Sequence, residues 1–209
     1  MTTRLRCEAC DSEWNELDTA TTCRQCGGLL SLESDAPTER GPALRTLFDR
    51  RLTPSPVERG EISRSGVWRF RELVLPTITD GDIVSQWEGN TPLLRRASVV
   101  SWSGIEELWL KHEGHNPTGS FKDRGMTVAI SNAKRIGARA VSCASTGNTS
   151  ASLAAYAALA GIPAIVFVPS GQIALGKLAQ TLAYGAKTLM VRGDFDACLR
   201  LAREASDKL

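Results

Sequence analysis

From Glu106 onward, short apolar runs alternate with stripes at helical spacing. Leu108-Trp109-Leu110 is a short run suited to a strand. Met126, Ala129, Ile130, Ala133 and Ile136 then recur at helical spacing until Gly137, which predicts a helix with one buried face. Ala140–Ala144 reads as a buried strand, and Thr149–Ala160 as an alanine-rich helix closed by Gly161. Ala164–Val168 is the clearest strand, stopped by Pro169. Leu175–Tyr184 reads as a helix closed by Gly185, Lys187–Val191 as a further strand, and Asp194 as the cap of a helix running to Leu209. Strand and helix in strict alternation predict an α/β fold, a doubly wound and mostly parallel sheet with helices on both faces. Leu199, Ala202, Ala205 and Leu209 still share one face where the sequence stops, with no helix stop signal, so a longer polypeptide is expected.

The earlier half has a different texture. Residues 1–30 hold four of the six cysteines, which sets them apart as a small unit. Residues 31–66 are rich in Pro, Ser, Glu and Arg and read as a linker with one short helix near Leu44, Leu47 and Phe48. Residues 67–209 form the globular α/β part. A net charge of +2 creates no basic field, so no nucleic-acid partner is expected. No apolar run approaches the ~18 residues of a membrane span, and the first residues lack the apolar core of a signal peptide. A cytoplasmic location is expected, where thiols stay reduced and cysteines serve as metal ligands or core residues.

Cys7-x-x-Cys10 and Cys23-x-x-Cys26 are two knuckles that enclose twelve residues. Four thiolates at this spacing can close a tetrahedral zinc site, with Gly27 and Gly28 where a knuckle turn needs freedom from Cβ clashes. A redox pair or a metal-free cluster is the alternative. Arg4, Arg6 and Arg24 are balanced by Glu8, Asp11, Glu13, Glu16 and Asp18, so a zinc ribbon here does not imply nucleic-acid binding. Cys143 and Cys198 have no partner histidine at readable spacing, and His112 and His115, i and i+3 in a loop, are a weak metal signal, so core or surface roles are expected for all four.

Two turns carry candidate chemistry. Asn116-Pro117-Thr118-Gly119-Ser120-Phe121-Lys122-Asp123-Arg124-Gly125 places Lys122 in the first turn of a helix, with Ser120 and Asp123 as an N-cap signal. The positive end of the helix dipole disfavours an ammonium there and suits a lysine that acts as a neutral amine or imine. A solvated lysine at a helix start has the same local signature. Ser145-Thr146-Gly147-Asn148-Thr149 joins a strand to a helix, and Asn148 follows Lys122 by 26 residues. Helix N-terminal N–H groups hold anions, although an ordinary capped turn uses the same residue types. In one parallel sheet both turns would lie at the carboxyl ends of neighbouring strands, where ligands bind.

Pro-Thr-Gly-Ser-Phe-Lys-Asp-Arg-Gly resembles the cofactor-lysine segment of the threonine synthases, pyridoxal-phosphate enzymes of fold-type II. Glu88-Gly89-Asn90-Thr91-Pro92-Leu93 is similar to an entry motif of these enzymes, and Ser145–Thr149 to their asparagine loop. Gly176-Lys177-Leu178-Ala179-Gln180, Tyr184-Gly185-Ala186 and Gly193-Asp194-Phe195-Asp196 extend the likeness over residues 85–209. A zinc ribbon also precedes the catalytic lobe in some members. The resemblance implies that Lys122 forms a Schiff base with pyridoxal 5′-phosphate and that Asn148 contacts the cofactor's phenolic oxygen. It implies that Ser145, Thr146 and Thr149 hold the substrate carboxylate. The implied reaction converts O-phospho-L-homoserine and water to L-threonine and phosphate, in a monomer or homodimer. The family's glycine-rich cofactor-phosphate cradle and its substrate-phosphate ligands lie later than this sequence reaches, so the 209 residues alone are expected to be inactive. Cysteate synthase or threonine dehydratase on the same scaffold, or a truncated non-catalytic zinc-ribbon binding protein, are the alternatives.

Overall fold

The structure, a computed structural model, describes residues 2–52, 61–171 and 175–208. The cysteine-rich start is an antiparallel sheet of β1 (Thr3–Cys7), β2 (Glu13–Asn15) and β3 (Leu30–Ser34), in the order β2-β1-β3. Its arginines pair within the ribbon as expected: Arg4 with Glu13 at 2.9 Å, Arg6 with Asp11 at 2.9 Å and Arg24 with Asp18 at 2.7 Å.

The segment read as a linker carries more structure than one helix. It contains most of β3, the expected helix as α1 (Gly41–Leu52), and the buried Ser65 and Gly66. Phe48 of α1 packs edge-on against Phe70, with ring centroids 4.9 Å apart, and Arg51 donates to Glu72 of α2 (Arg71–Val74) at 2.6 and 2.8 Å. Pro54 and Pro56 lie outside the described residues. Gly66 lies backbone to backbone against Gly89 and Asn90, and a Cβ on it would come within 2.1 Å of the Asn90 nitrogen. Any side chain there would force the two segments apart.

β4 (Leu93–Leu94), α3 (Ala97–Ser103) and β5 (Leu110–Lys111) follow. The strand expected at Leu108–Leu110 is thus the two-residue β5. It pairs antiparallel with β4 and lies outside the parallel sheet. Pro92 accepts the His112 N–H at 3.0 Å at the end of this short ladder, and the chain then turns away through Glu113–His115.

The rest matches the expected alternation: α4 (Lys122–Arg135), β6 (Val141–Ala144), α5 (Asn148–Ala160), β7 (Ala164–Pro169), α6 (Leu175–Ala183), β8 (Lys187–Val191) and α7 (Phe195–Lys208). β6, β7 and β8 form a parallel sheet in that order. Val166 and Val168 of the central strand face a core with Leu153, Ala154 and Ile130, on the side of α4 and α5. Phe167 faces the other way, against Cys198 and Ala202 of α7. Helices therefore cover both faces, because alternate side chains of a strand point to opposite sides. Asp194 caps α7 as expected, accepting the Ala197 N–H at 2.9 Å; Leu209 lies outside the described residues. Residues Ser150–Ala157 of α5 are all buried, and six of those eight are alanine or serine small enough to let neighbouring elements close in.

The buried face of α4 departs from the apolar stripe expected. Ala129 is exposed, and Asp123, Thr127 and Ser131, one turn apart, are fully buried. Thr127 accepts from Trp68 Nε1 at 2.7 Å and donates to the Val84 carbonyl at 2.7 Å, while Ser131 accepts the Val84 N–H at 2.8 Å. Val84 belongs to an irregular segment with no strand partner among the described residues, so helix side chains satisfy its buried backbone groups. At the far end of α4, Arg135 grips Glu16 of the ribbon at 2.7 and 3.1 Å, and Thr77 donates to the same carboxylate at 2.5 Å.

Thr127→Val keeps the side-chain volume but leaves Trp68 Nε1 and the Val84 carbonyl without partners. Each orphaned group should cost about 1–3 kcal/mol. Urea unfolding should show a lower midpoint with an unchanged slope.

Candidate active site

Lys122 is the first residue of α4 and is exposed. The expected cap differs in detail: Phe121 occupies the N-cap position without a side-chain bond, and the Ser120 hydroxyl accepts the Lys122 N–H at 3.1 Å. Asp123 looks backward. Its buried carboxylate accepts the Thr118 N–H at 2.7 Å and the Thr118 hydroxyl at 2.6 Å. It also accepts the Ser152 hydroxyl of α5 at 2.5 Å. That last bond joins the lysine turn to the first part of α5, one turn beyond Asn148. The two motifs meet through α4–α5 packing and this bond, not through adjacent strands of one sheet.

The second turn places Ser145, Thr146 and Gly147 before α5, with Asn148 as its first residue and exposed. Gly147 occupies the N-cap position and supplies no side chain to bond the first N–H groups. Space beside it is open, since a Cβ there would meet nothing within 4 Å. Ser145 Oγ accepts the Gly147 N–H at 3.2 Å. The side chains of Lys122, Thr146, Asn148 and Thr149 make no hydrogen bond among the described residues. The Lys122 ammonium lies 5.1 Å from the centre of the exposed Phe121 ring. An uncapped helix start, open space and four unengaged polar side chains suit an anionic, hydrogen-bonding ligand.

A second layer holds these turns. Arg124 forks onto Glu113, both bonds at 2.8 Å, and Thr91 donates to the same carboxylate at 2.7 Å. The Arg124 guanidinium holds the Glu113 carboxyl down at about 2, with help from Thr91 and Asn116. Asn116 accepts the Gly89 N–H at 2.9 Å and donates to the Glu113 carbonyl at 2.8 Å. The entry motif Glu88–Leu93 is thereby stitched to the lysine segment. Glu88 is fully buried and accepts from Tyr156 at 2.7 Å, from the Gln86 N–H at 3.0 Å, and from Ser85 and Ser65. Burial pushes the Tyr156 phenol pKa far up, and the Glu88 charge adds to it.

At the other end of the chain, Cys7, Cys10, Cys23 and Cys26 converge, with all four sulfurs within 4.8 Å of one another. Cys7–Cys26 and Cys10–Cys26 are 3.4 Å apart and Cys10–Cys23 3.7 Å. The Ala9 and Gln25 N–H groups point at the Cys7 and Cys23 sulfurs, each at 3.4 Å. The Ser12 hydroxyl, 3.2 Å from Cys23, is the main cause that lowers the Cys23 thiol to about 6. His112 and His115 stack edge-on at 4.4 Å and are not part of any such cluster among the described residues. Burial pushes the Cys143 thiol up to about 12, in keeping with a core role.

The model of the pyridoxal-phosphate dependent enzymes matches residues 84–208, which include both turns. The chain belongs to that family. Its α/β arrangement is that of the fold-type II members, as expected. Among relatives, the threonine synthase of Methanocaldococcus jannaschii is 45% identical over 205 residues, covering 98% of this chain and 47% of that one. The threonine synthase of Methanosarcina acetivorans is 42% identical over 199 residues, covering 95% and 45%. That of Mycobacterium tuberculosis is 55% identical over 130 residues, covering 62% and 36%. The chain thus spans about half the length of the first two relatives. Among solved structures, maize serine racemase superposes with a TM-score of 0.52 at 25% identity, covering 57% of this chain and 36% of that one. No helix among the described residues is long and apolar enough to cross a membrane.

Sequence reasoning missed the clamps of this site. The spacing of Ser120 and Asp123 suggests a capping pair, but the Asp123 bonds run to Thr118 and Ser152. Ser152 gave no signal within an alanine-rich helix. Glu113 and Arg124 are eleven residues apart with a turn between them, so spacing alone does not pair them.

Glu113 ionises below the ordinary carboxylate value near 4.3. Its pair with Arg124 therefore contributes stability that is fully present above about pH 4.3 and lost as pH falls through about 2. Glu113→Gln should lower stability at pH 7, and the gap from wild type should close by about pH 2. Denaturant unfolding of both proteins across pH 2–7 checks this.

Proposed function

We propose that this chain is the cofactor-lysine portion of a threonine synthase, acting on O-phospho-L-homoserine and water to give L-threonine and phosphate. The observation that carries the reading is the Asp123–Ser152 bond. It holds Lys122 and the Asn148 turn together with their side chains unengaged, in a chain alignable over nearly its whole length with a threonine synthase. Lys122 would hold pyridoxal phosphate through Nζ, and Asn148 would donate its amide to the ring oxygen. Ser145, Thr146 and Thr149, with the free N–H groups at the start of α5, would orient the substrate carboxylate. When bound, the cofactor supplies an electron sink for charge that develops beside the substrate amine. Once the substrate amine has displaced it, Lys122 Nζ would take and return protons as general base and acid. Glu88 and Glu113 keep the surrounding segments in register and do not reach the reacting atoms in this reading.

Residues 67–209 would form the first part of the catalytic region, joined through 31–66 to a zinc-binding unit at residues 1–30. The thiol geometry supports the metal. A tetrahedron of sulfurs with ~2.3 Å bonds to zinc has edges of about 3.8 Å, close to the spacings of the four thiols. A Cβ on Gly28 would press on Ala9 at 2.9 Å and on Cys7 Sγ at 3.0 Å, so the sulfur cradle leaves no room for a side chain.

Borohydride treatment of the protein loaded with pyridoxal phosphate should fix the label on Lys122; label on Lys134 or Lys177 would exclude the assignment. Lys122→Ala should change folding stability by less than about 0.5 kcal/mol, because the side chain is exposed. In the full-length enzyme it should reduce phosphate release from O-phosphohomoserine by about a thousandfold or more.

Elemental analysis should give one zinc per chain. The double substitution Cys23→Ser with Cys26→Ser should abolish it while leaving borohydride labelling at Lys122 in place.

A further inference from the structure

We infer that Lys177 is a positioning residue for the Lys122 turn, an inference that rests on the function proposed above. Lys177 is in the first turn of α6, 55 residues beyond Lys122, and half-buried. Its ammonium donates to the Thr118 carbonyl at 3.0 Å. The Thr118–Gly119 peptide is consequently held at both ends, because the Gly119 N–H donates to the Asn116 carbonyl at 2.8 Å. This peptide sets the direction of the chain three residues before Lys122. Gly119 has φ +80°, a conformation set by the orientation of the peptide that precedes it. Rotation of that peptide would break both bonds and redirect Ser120, Phe121 and Lys122.

The bond from Lys177 differs from the others that fix Thr118. Asp123 holds the Thr118 N–H and hydroxyl, but Asp123 is itself part of α4, so those bonds tie the turn only to its own helix. Lys177 ties it to α6, which, like α4, packs on α5. The turn is thereby tied to both of the helices that pack on the one carrying Asn148. The donor is a charged ammonium and its acceptor a carbonyl, so the bond is stronger than an ordinary amide pair without neutralising the lysine. A solvated lysine on the α6 surface would gain nothing from this placement. The bond fixes the backbone from which the Lys122 side chain projects.

The test uses the protein with added pyridoxal phosphate and two variants. Lys177→Met keeps the aliphatic stem and removes the donors; Lys177→Arg keeps a charged donor. In Lys177→Met the amides of Thr118, Gly119 and Lys122 should exchange with solvent about tenfold faster or more, as expected for loss of a charge-assisted bond. Borohydride-fixed label at Lys122 and the visible absorbance of bound cofactor should fall several-fold at subsaturating cofactor, with unfolding still a single cooperative transition. Lys177→Arg should restore exchange, label and absorbance together. Wild-type exchange and labelling in Lys177→Met would overturn the inference. So would a Lys177→Arg protein no better than Lys177→Met, since the stem rather than the donor would then matter. Absence of label on Lys122 in the wild type would instead overturn the proposed function. The exchange comparison would still decide whether Lys177 fixes the turn.

Discussion

A carboxylate removed from water must find donors, and Asp123 finds three: the Thr118 amide, the Thr118 hydroxyl and the Ser152 hydroxyl. The turn before Lys122 can close only if Thr118 folds back onto it. α5 can dock on α4 only with Ser152 at that level. The requirement to satisfy one buried charge thus sets the loop, the helix register and the meeting of the two motifs. Asp123 also lies in the first turn of α4, where the helix dipole favours a negative charge. Removing its partners while leaving the carboxylate would be worse than removing the carboxylate itself, because the cost lies in the unpaired charge.

Glu88 repeats the solution one layer away. Its donors come from Ser65, Ser85, Gln86 and Tyr156, drawn from three separate stretches of chain. Between the two carboxylates, α4 presents Thr127 and Ser131 to Val84 in the manner of a neighbouring strand. The irregular stretch ahead of the sheet needs no ladder of its own because a helix supplies its hydrogen bonds. This part of the protein is organised by polar satisfaction, whereas the β6–β8 sheet is organised by apolar packing on two faces.

That contrast explains what the sequence disclosed. The elements from α4 to α7 were readable because strand alternation, helical spacing and Gly or Asp punctuation all encode burial directly, and only their ends shifted by a residue or two. The cysteine knuckles were readable because two Cys-x-x-Cys pairs are a spacing that the sequence itself displays, and their sulfurs do converge. The Lys122 and Asn148 turns were visible as motifs. What could not be read was the polar stripe Asp123, Thr127, Ser131, since hydroxyls and carboxylates on a helix ordinarily signal a solvated face. The antiparallel pairing of β5 was equally hidden, because two residues of ladder leave no pattern. Ser65 and Gly66 gave the composition of a linker, and only the backbone contact with Gly89 reveals their place in the core.

The ion pair of Glu16 with Arg135 gives the ribbon a mechanical meaning. Lys122 begins α4 and Arg135 ends it, so the two lie about 20 Å apart at 1.5 Å of rise per residue. The ribbon therefore grasps the helix by the end opposite the lysine, well beyond the reach of any direct bond to it. A rod pinned at its tail and bolted near its head can neither slide along its axis nor roll. Stiffness that the ribbon supplies at one end of α4 thus becomes constancy of direction at the other.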